Sequence, residues 1–519
     1  MNKVFNITGL CFPNEHYMAD VSKKLARVMA MVEQGYYFII NRPRQYGKTT
    51  TLYTISDLLQ KKGDYIVLNT SFEGVGDKFF DNEENFTKGF VEFLSNYASV
   101  YVPELEGWLN EESKSIIDFK MLYKFITRFV NKTDKKIVLM IDEVDKSSNN
   151  QLFISFLAML RNKYLERHTF KTFYSVVLAG LHDVKSLKLK LRPDEEQKYN
   201  SPWNIAAEFK VNMNLLPEEI IPMLDEYAKD KNISVQSELV ADRLFYYTSG
   251  YPFLVSKLCK MIDEDFLPEK TEKTWTVEDV NKAAVAITKE TNTNFDSLIK
   301  NLENHPDLYD LVYKKLVEVE YQSYSVFDPT VSLGMMYGIL KNGDGISIHN
   351  RIYEEIIYDY MTSKAKSKVL LGEYNVNKNF RLTNGQLNME LVLLKFQTFM
   401  HEQYSGKDRE FLERNGRLIF LAFIKPIING SGFDFKEVQI SEERRLDVVI
   451  TYLAHKYIAE LKIWRGKEAH TEGLLQLCDY LDRAKLDEGY LIIFDHSKKK
   501  TWKNGWEIVN GKKIFIVWV

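Results

Sequence analysis

Cysteine is scarce. The 519 residues hold three, Cys11, Cys259 and Cys478, far apart and without a C-x-x-C pair, so neither a disulfide framework nor a zinc knuckle organises the chain. No apolar run approaches the length of a bilayer span. The first twenty residues, MNKVFNITGLCFPNEHYMAD, carry polar and charged side chains where a secretory leader keeps an apolar core. A soluble, cytoplasmic protein with no membrane partner is therefore expected. Neither sign of charge dominates: 69 Lys+Arg against 72 Asp+Glu leave a net charge of −3, which gives no global nucleic-acid footprint. Several chemistries are absent too. His401-Glu402 would need a histidine at 405 to make a zinc helix, and that position is Ser405; no serine elbow, paired Cys/His or dinucleotide-binding glycine triplet occurs. What is present, 45% hydrophobic and 27% charged residues, suits two or three domains with a core each.

The most informative stretch is YYFIINRPRQYGKTT, residues 36–50. Tyr36 to Ile40 read as a buried strand, Asn41 to Gly47 as a loop, and Lys48-Thr49 as the opening of a helix. Strand, loop and helix with Gly-Lys-Thr at the junction form the setting of a phosphate-binding loop. Free N–H groups at the helix start point at the anion and the helix dipole favours it. Arg44, Gln45, Tyr46, Gly47, Lys48, Thr49 and Thr50 are the expected nucleotide contacts, with Lys48 near the β/γ-phosphates and the Thr49 hydroxyl on Mg²⁺. The pattern G-x-x-x-x-G-K-[ST] would place its first glycine where this chain has Arg42, so the loop is expected to turn without it, helped by Pro43.

A partner motif follows about ninety-five residues later. KIVLMIDEVDK (136–146) holds five consecutive apolar residues, too uniformly apolar to face water, and reads as a central strand of a parallel sheet. Open α/β sheets place ligand chemistry at the carboxyl ends of such strands. Asp142 is thus expected in the Mg²⁺ shell and Glu143 as the base that polarises the attacking water. TFYSVVLA (172–179) reads as another central strand, but Gly180, Leu181 and His182 after it offer no assignable polar sensor. Arg161 and Arg192 are candidate arginine fingers, with solvated surface arginines preferred. His16, Tyr17 and Met18 could meet the base, with packing preferred; Glu73 could face the nucleotide or end a strand. The Phe79, Phe86, Phe90, Phe93 series reads as core.

Thr248-Ser249-Gly250-Tyr251-Pro252 is a G-x-P turn at a helix start. With RPRQYGKTT and the DE-ended strand, it makes residues 1–265 resemble a bacterial AAA-like ATPase group. The resemblance implies an α/β P-loop NTPase (AAA-like) domain over 1–268, with a parallel sheet and a helical lid. Residues 269–370 read as a linker (PEKTEKTWTVEDV) and a winged-helix-like middle module, its hairpin around Lys341–Gly345. The acidic IYEEIIYDYM favours an intramolecular clamp over a DNA reader.

Residues 371–519 carry a second chemistry. After a long helix, Asn388–Tyr404, the segments Leu446–Tyr452 and Lys456–Ile463 read as paired strands, bringing Asp447 towards Glu460 and Lys462. Glu460 and Lys462 are two apart and leave one face. Two carboxylates suit Mg²⁺ or Mn²⁺, which can activate a water against a phosphodiester; Lys462 would orient that water or help deprotonate it. The spacing D-x(12)-E-x-K resembles the PD-(D/E)XK nucleases, with Leu446 where that family usually has proline. Gln476 and Tyr480 are similar to the Q-x-x-x-Y signature of its recombination-nuclease branch. An α/β nuclease-like domain is implied, with Asp447 and Glu460 as metal ligands and Lys462, Gln476 and Tyr480 in the catalytic set. Glu413, Glu437 and, less well placed, Glu390 compete as the upstream carboxylate. The lysines Lys498–Lys500 read as a solvated loop ahead of a DNA grip.

The expectation is an ATP-binding, ATP-hydrolysing protein coupled to a metal-dependent nuclease, working on nucleic acid (DNA ahead of RNA) in defence or mobile-element handling. An arginine reaching a neighbouring subunit's nucleotide would make it a homo-oligomer. The alternatives are a nucleotide switch or scaffold whose last domain only binds nucleic acid, and an ATPase acting on protein partners.

Overall fold

Ile137 to Ile141 offer water no polar face, and in the computed structural model they lie in β3 (Lys136–Asp142), buried along its length after Lys136. Its companions are β1 (Tyr37–Asn41), β2 (Tyr65–Ser71) and β4 (Ser175–Gly180), in the order β1-β4-β3-β2, all parallel. Both DE-ended and SVVLA-containing strands are thus central. The structure describes residues 3–144, 151–181, 203–317, 325, 327–343, 345–368, 380, 382, 386–403, 416, 419–421, 423–424, 432–436, 439–441, 444–445, 448–452, 455–464, 466–495, 497 and 500–519. Two compact units result, one of residues 1–309 with 323–354, the other of 310–322 with 355–519.

In the first unit, the helix Lys48–Lys61 returns from β1 and buries Leu52, Ile55 and Leu59 at helical spacing; each such side chain contributes about 1.5–3 kcal/mol. Helices Glu83–Tyr101 and Phe119–Val130 enter one apolar cluster with the sheet, where Phe86, Phe90, Phe125 and Phe129 are fully buried and Phe79 and Phe93 pack at its edge. The aromatic series is core, as its spacing says. The outer edge of β1 is met by Ala207, whose N–H bonds Tyr37 O at 2.8 Å.

Four helices follow, Pro217–Lys231, Ser237–Thr248, Pro252–Met261 and Val277–Ile287, with a two-residue pairing of β5 (Ser234–Val235) and β6 (Thr274–Trp275). The last of these helices lies in the stretch read as linker. The Lys, Glu and Thr residues just before it mask the helix's buried stripe at Val280, Ala283, Ala284 and Ile287, and Asp279 caps its start by accepting from Thr276 N–H at 2.8 Å. Gly250 carries the turn between the second and third helices. Its φ is +75°, and a Cβ there would stand 2.2 Å from Leu215 O. Gly250→Ala is expected to cost about 2–5 kcal/mol through left-handed strain and backbone overlap, read as a lowered denaturant midpoint. Helices Thr293–Asn304 and Pro329–Met336 then precede a hairpin of β7 (Leu340–Asn342) and β8 (Ile346–Ile348).

The second unit holds β9 (Gly432–Lys436), a small pair β10 (Gln439–Ser441) and β11 (Arg444–Arg445), then β12 (Val448–Tyr452), β13 (His455–Ile463), β14 (Glu488–Phe494), β15 (Asn504–Val509) and β16 (Lys512–Trp518). Its main sheet has the order β15-β16-β14-β13-β12-β9, with β13, β14 and β16 parallel and the outer strands antiparallel. The helix Lys467–Ala484 crosses between β13 and β14 and buries Leu474, Leu477 and Leu481 on the sheet. Among the described residues, no helix is long and apolar enough to cross a membrane.

Candidate nucleotide site and C-terminal carboxylate site

The two halves of the expected nucleotide site meet. Lys48 is buried, and its Nζ donates to Arg42 O and Pro43 O, each at 3.0 Å. Thr49 Oγ1 donates to Asp142 Oδ2 at 2.6 Å across ninety-three residues of chain. The other oxygen of Asp142 accepts the Glu143 N–H at 2.9 Å, so the buried carboxylate is held on both sides. Glu143 itself stands at φ 52°, left-handed for a residue that seldom adopts it. Thr50 faces elsewhere: its hydroxyl accepts the Cys11 N–H at 3.3 Å.

The geometry also explains Arg42. The left-handed residues of the loop are Gln45 (φ 56°) and Gly47 (φ 75°), so the position lacking the glycine does not need one. The Arg42 side chain turns away from the loop. Its guanidinium donates to Asn41 O at 2.8 Å and Val211 O at 2.7 Å and lies 5.1 Å over the Phe209 ring. Pro43 is buried against Gly338, where a Cβ would approach its Cγ to 2.7 Å.

Three successive loop residues are gripped by later parts of the unit. Arg44 O accepts from Tyr251 OH at 2.6 Å, Gln45 Oε1 from Asn294 Nδ2 at 2.8 Å, and Asn294 Oδ1 in turn from Tyr353 OH at 2.7 Å. Burial pushes the Tyr251 phenol up to about 12, which keeps it a donor. Tyr46 OH donates to Asn214 and lies 2.8 Å from His349 Nε2, while Asn350 Nδ2 stands 3.3 Å from His349 Nδ1. The Nε2–H tautomer satisfies both contacts. Motif reasoning missed Asn214, Asn294 and His349, because their approach to the loop is set by tertiary structure and no local pattern announces it.

Burial lowers the His349 pKa from 6.5 to about 3, with the charge of Lys341 as a smaller cause. Between these values the unfolded chain binds the extra proton, so stability present above pH 6.5 is lost as pH falls towards 3. Urea midpoints across pH 6.5–4 are expected to fall less steeply in His349→Gln than in the parent chain.

Other expectations sort differently. Tyr17 is core, 5.0 Å from Phe5 and 5.2 Å from Tyr227 between ring centroids. His16 Nδ1 accepts the Phe12 N–H at 2.9 Å, Met18 is half-buried, and β2 ends before Glu73. Arg161 bonds Asn204 Oδ1 at 2.6 Å on its own surface. His182 and Arg192 lie outside the described residues.

In the second unit, the β12–β13 register sets Val448 opposite Ala459, the residue before Glu460. Glu460 is 1% exposed and its Oε1 lies 2.8 Å from Lys462 Nζ. Lys462 Nζ reaches Gln476 Oε1 at 3.3 Å, and Gln476 Nε2 donates to Tyr480 OH at 2.7 Å, so the E-x-K and Q-x-x-x-Y residues form one polar chain from strand to helix. Asp447, Glu413, Glu437 and Lys498 lie outside the described residues. Glu390 accepts from Trp506 Nε1 at 3.1 Å. Among the described residues, no group of three His, Cys, Asp or Glu is placed to hold a metal.

A 21% identical stretch of 243 residues, 46% of this chain, matches an uncharacterised WD repeat-containing protein of Synechocystis sp.; it spans only 19% of that relative. A Walker-type ATPase of Pyrococcus abyssi is similar with a TM-score of 0.46 and 10% identity over 68% of this chain and 99% of its own. A RuvB variant of Thermotoga maritima (TM-score 0.34, 14% identity, 66% and 96% covered) and the ORC2 protein of Aeropyrum pernix (0.34, 12%, 69% and 96%) are similar too. The model of the AAA-like domain matches residues 13–356, about two thirds of the chain, and the protein belongs to the AAA-like domain family.

Proposed function

We propose that residues 1–268 bind ATP with magnesium and hydrolyse it. The observation that carries this reading is the 2.6 Å bond from Thr49 Oγ1 to Asp142 Oδ2, which joins the helix start of the phosphate loop to the end of a central strand. A hydroxyl and a carboxylate converging there are hard oxygen donors of the kind Mg²⁺ takes. Thr49 and Asp142 would hold the ion, which when bound neutralises phosphate charge. Lys48, freed from Arg42 O and Pro43 O, donates to the phosphates, and the loop N–H groups from Arg44 to Thr50 complete the cradle. Glu143 takes the proton of the attacking water. Phosphate release from ATP by the full chain, with and without Mg²⁺, tests this; no turnover under either condition leaves at most a nucleotide-binding role.

For residues 371–519 we propose a metal-dependent nuclease, supported by the polar chain Glu460–Lys462–Gln476–Tyr480. Asp447 and Glu460 would hold Mg²⁺ or Mn²⁺, Lys462 orients the water, and Gln476 with Tyr480 positions Lys462. On this reading residues 269–370 carry a winged-helix-like clamp, ATP gates cutting of DNA ahead of RNA, and the bacterial cell uses it in the cytoplasm against foreign or mobile DNA. A homo-oligomer follows only if an arginine such as Arg192 serves a neighbour. Labelled DNA and RNA incubated with Mg²⁺ or Mn²⁺, with and without ATP, separates this from the switch reading, in which ATP turns over and nothing is cut.

A further inference from the structure

Among the described residues, strand β4 ends at Gly180 with no polar side chain to read a phosphate, and the residue after it, Leu181, lines a cleft of about 320 Å³. Arg44 of the phosphate loop forms another part of its wall. Ser297, Lys300 and Asn301 of the helix Thr293–Asn304 supply a third, and Tyr337 a fourth. None of the described lining residues is acidic. Two cations on a concave wall with no carboxylate raise the potential for an anion, and hydroxyl and amide groups are donors a phosphoryl oxygen accepts from.

Position points the same way. Asn41 pairs with Gly180, and Arg42 N–H donates to Gly180 O at 3.1 Å, so loop and β4 end are tied side by side at the carboxyl edge of the parallel sheet. The helix is fixed against the loop by the 2.8 Å bond from Asn294 Nδ2 to Gln45 Oε1. Asn294, Ser297 and Asn301 recur at i, i+3 and i+7, so they share the face that meets the loop, with Lys300 beside them.

We propose that the terminal phosphate of bound ATP is read from this cleft by Lys300 and Asn301, which occupy the role a polar residue after β4 would hold. This rests on the ATP-site reading above and adds to it the group that separates ATP from ADP. Lys300 is an exposed helix residue, so its replacement leaves the core intact.

The test is equilibrium binding of a non-hydrolysable ATP analogue and of ADP, each with Mg²⁺, to the full chain. Loss of one charge-assisted hydrogen bond predicts about tenfold or greater weakening for the analogue in Lys300→Ala. ADP affinity should stay within about twofold, since ADP lacks that phosphate, and Lys300→Arg should restore most of the analogue's affinity. Asn301→Ala is expected to show the same selectivity, smaller. Equal weakening for both nucleotides, or unchanged affinity for both while Lys48→Ala loses both, overturns the proposal and leaves the ATP site standing. Full binding of both nucleotides by Lys48→Ala overturns the ATP site, and this assignment with it.

Discussion

Asp142→Asn is expected to lower ATP turnover by about 10²–10³-fold, the loss that follows when one preorganised electrostatic group is removed from a catalytic site. The substitution keeps volume and one acceptor oxygen, so the amide can still take a hydrogen bond from Thr49 or from Glu143 N–H, and the sheet around it remains packed. What is lost is the negative charge of a buried carboxylate at the end of β3, the oxygen that Thr49 Oγ1 meets. Thr49→Val should act in the same direction, and the double variant should lose less than the sum, because both residues serve one contact. Additive losses would mean that Thr49 and Asp142 act separately, and the observed bond would then have no part in turnover. Steady-state phosphate release, with circular dichroism confirming the fold, reads the result.

The second large effect is expected at Glu460. Replacement by glutamine keeps shape but removes a charge from a side chain 1% exposed that pairs with Lys462 at 2.8 Å. On the proposed nuclease reading, metal-dependent cutting of labelled DNA should fall by at least about 100-fold, since a neutral amide is a poor ligand for a hard cation. Stability should fall by only about 1–3 kcal/mol, because Lys462 is 30% exposed and recovers water as a partner. Lys462→Met, by contrast, leaves the buried carboxylate without its cation and should cost more stability than Glu460→Gln. Cutting at the parental rate in Glu460→Gln would remove this carboxylate from the chemistry and favour the switch reading. Loss of stability without any parental cutting would make the polar chain a purely structural element.

Much of this was legible where the signal is local. The uniform run Ile137–Ile141 marked a central strand, Gly47-Lys48-Thr49 marked the helix start, and Gly250 with Pro252 marked the turn that carries Tyr251 to the loop. The two-residue spacing of Glu460 and Lys462 and the four-residue spacing of Gln476 and Tyr480 each gave a contact within a single strand or helix. Other features escaped for a physical reason. Left-handed backbone at Gln45 and Glu143 is imposed by surroundings, and neither residue type advertises it. The purpose of Arg42 depends on Phe209 and Val211, which reach it only because Ala207 pairs beside β1. The helix Val277–Ile287 hid its buried apolar positions, Val280, Ala283, Ala284 and Ile287, behind the lysines, glutamates and threonines of the segment that precedes it. His349 shows the limit most clearly: a lone histidine after a short strand says nothing of a tyrosine three hundred residues earlier.

Equilibrium titration of the full chain with Mg·ATP tests the central claim most directly, comparing it with Lys48→Ala. Saturable, magnesium-dependent binding to the parent chain and loss of at least about tenfold in affinity in the variant are the predicted result. A parent chain that ignores ATP, or a variant that binds it equally well, would contradict the account.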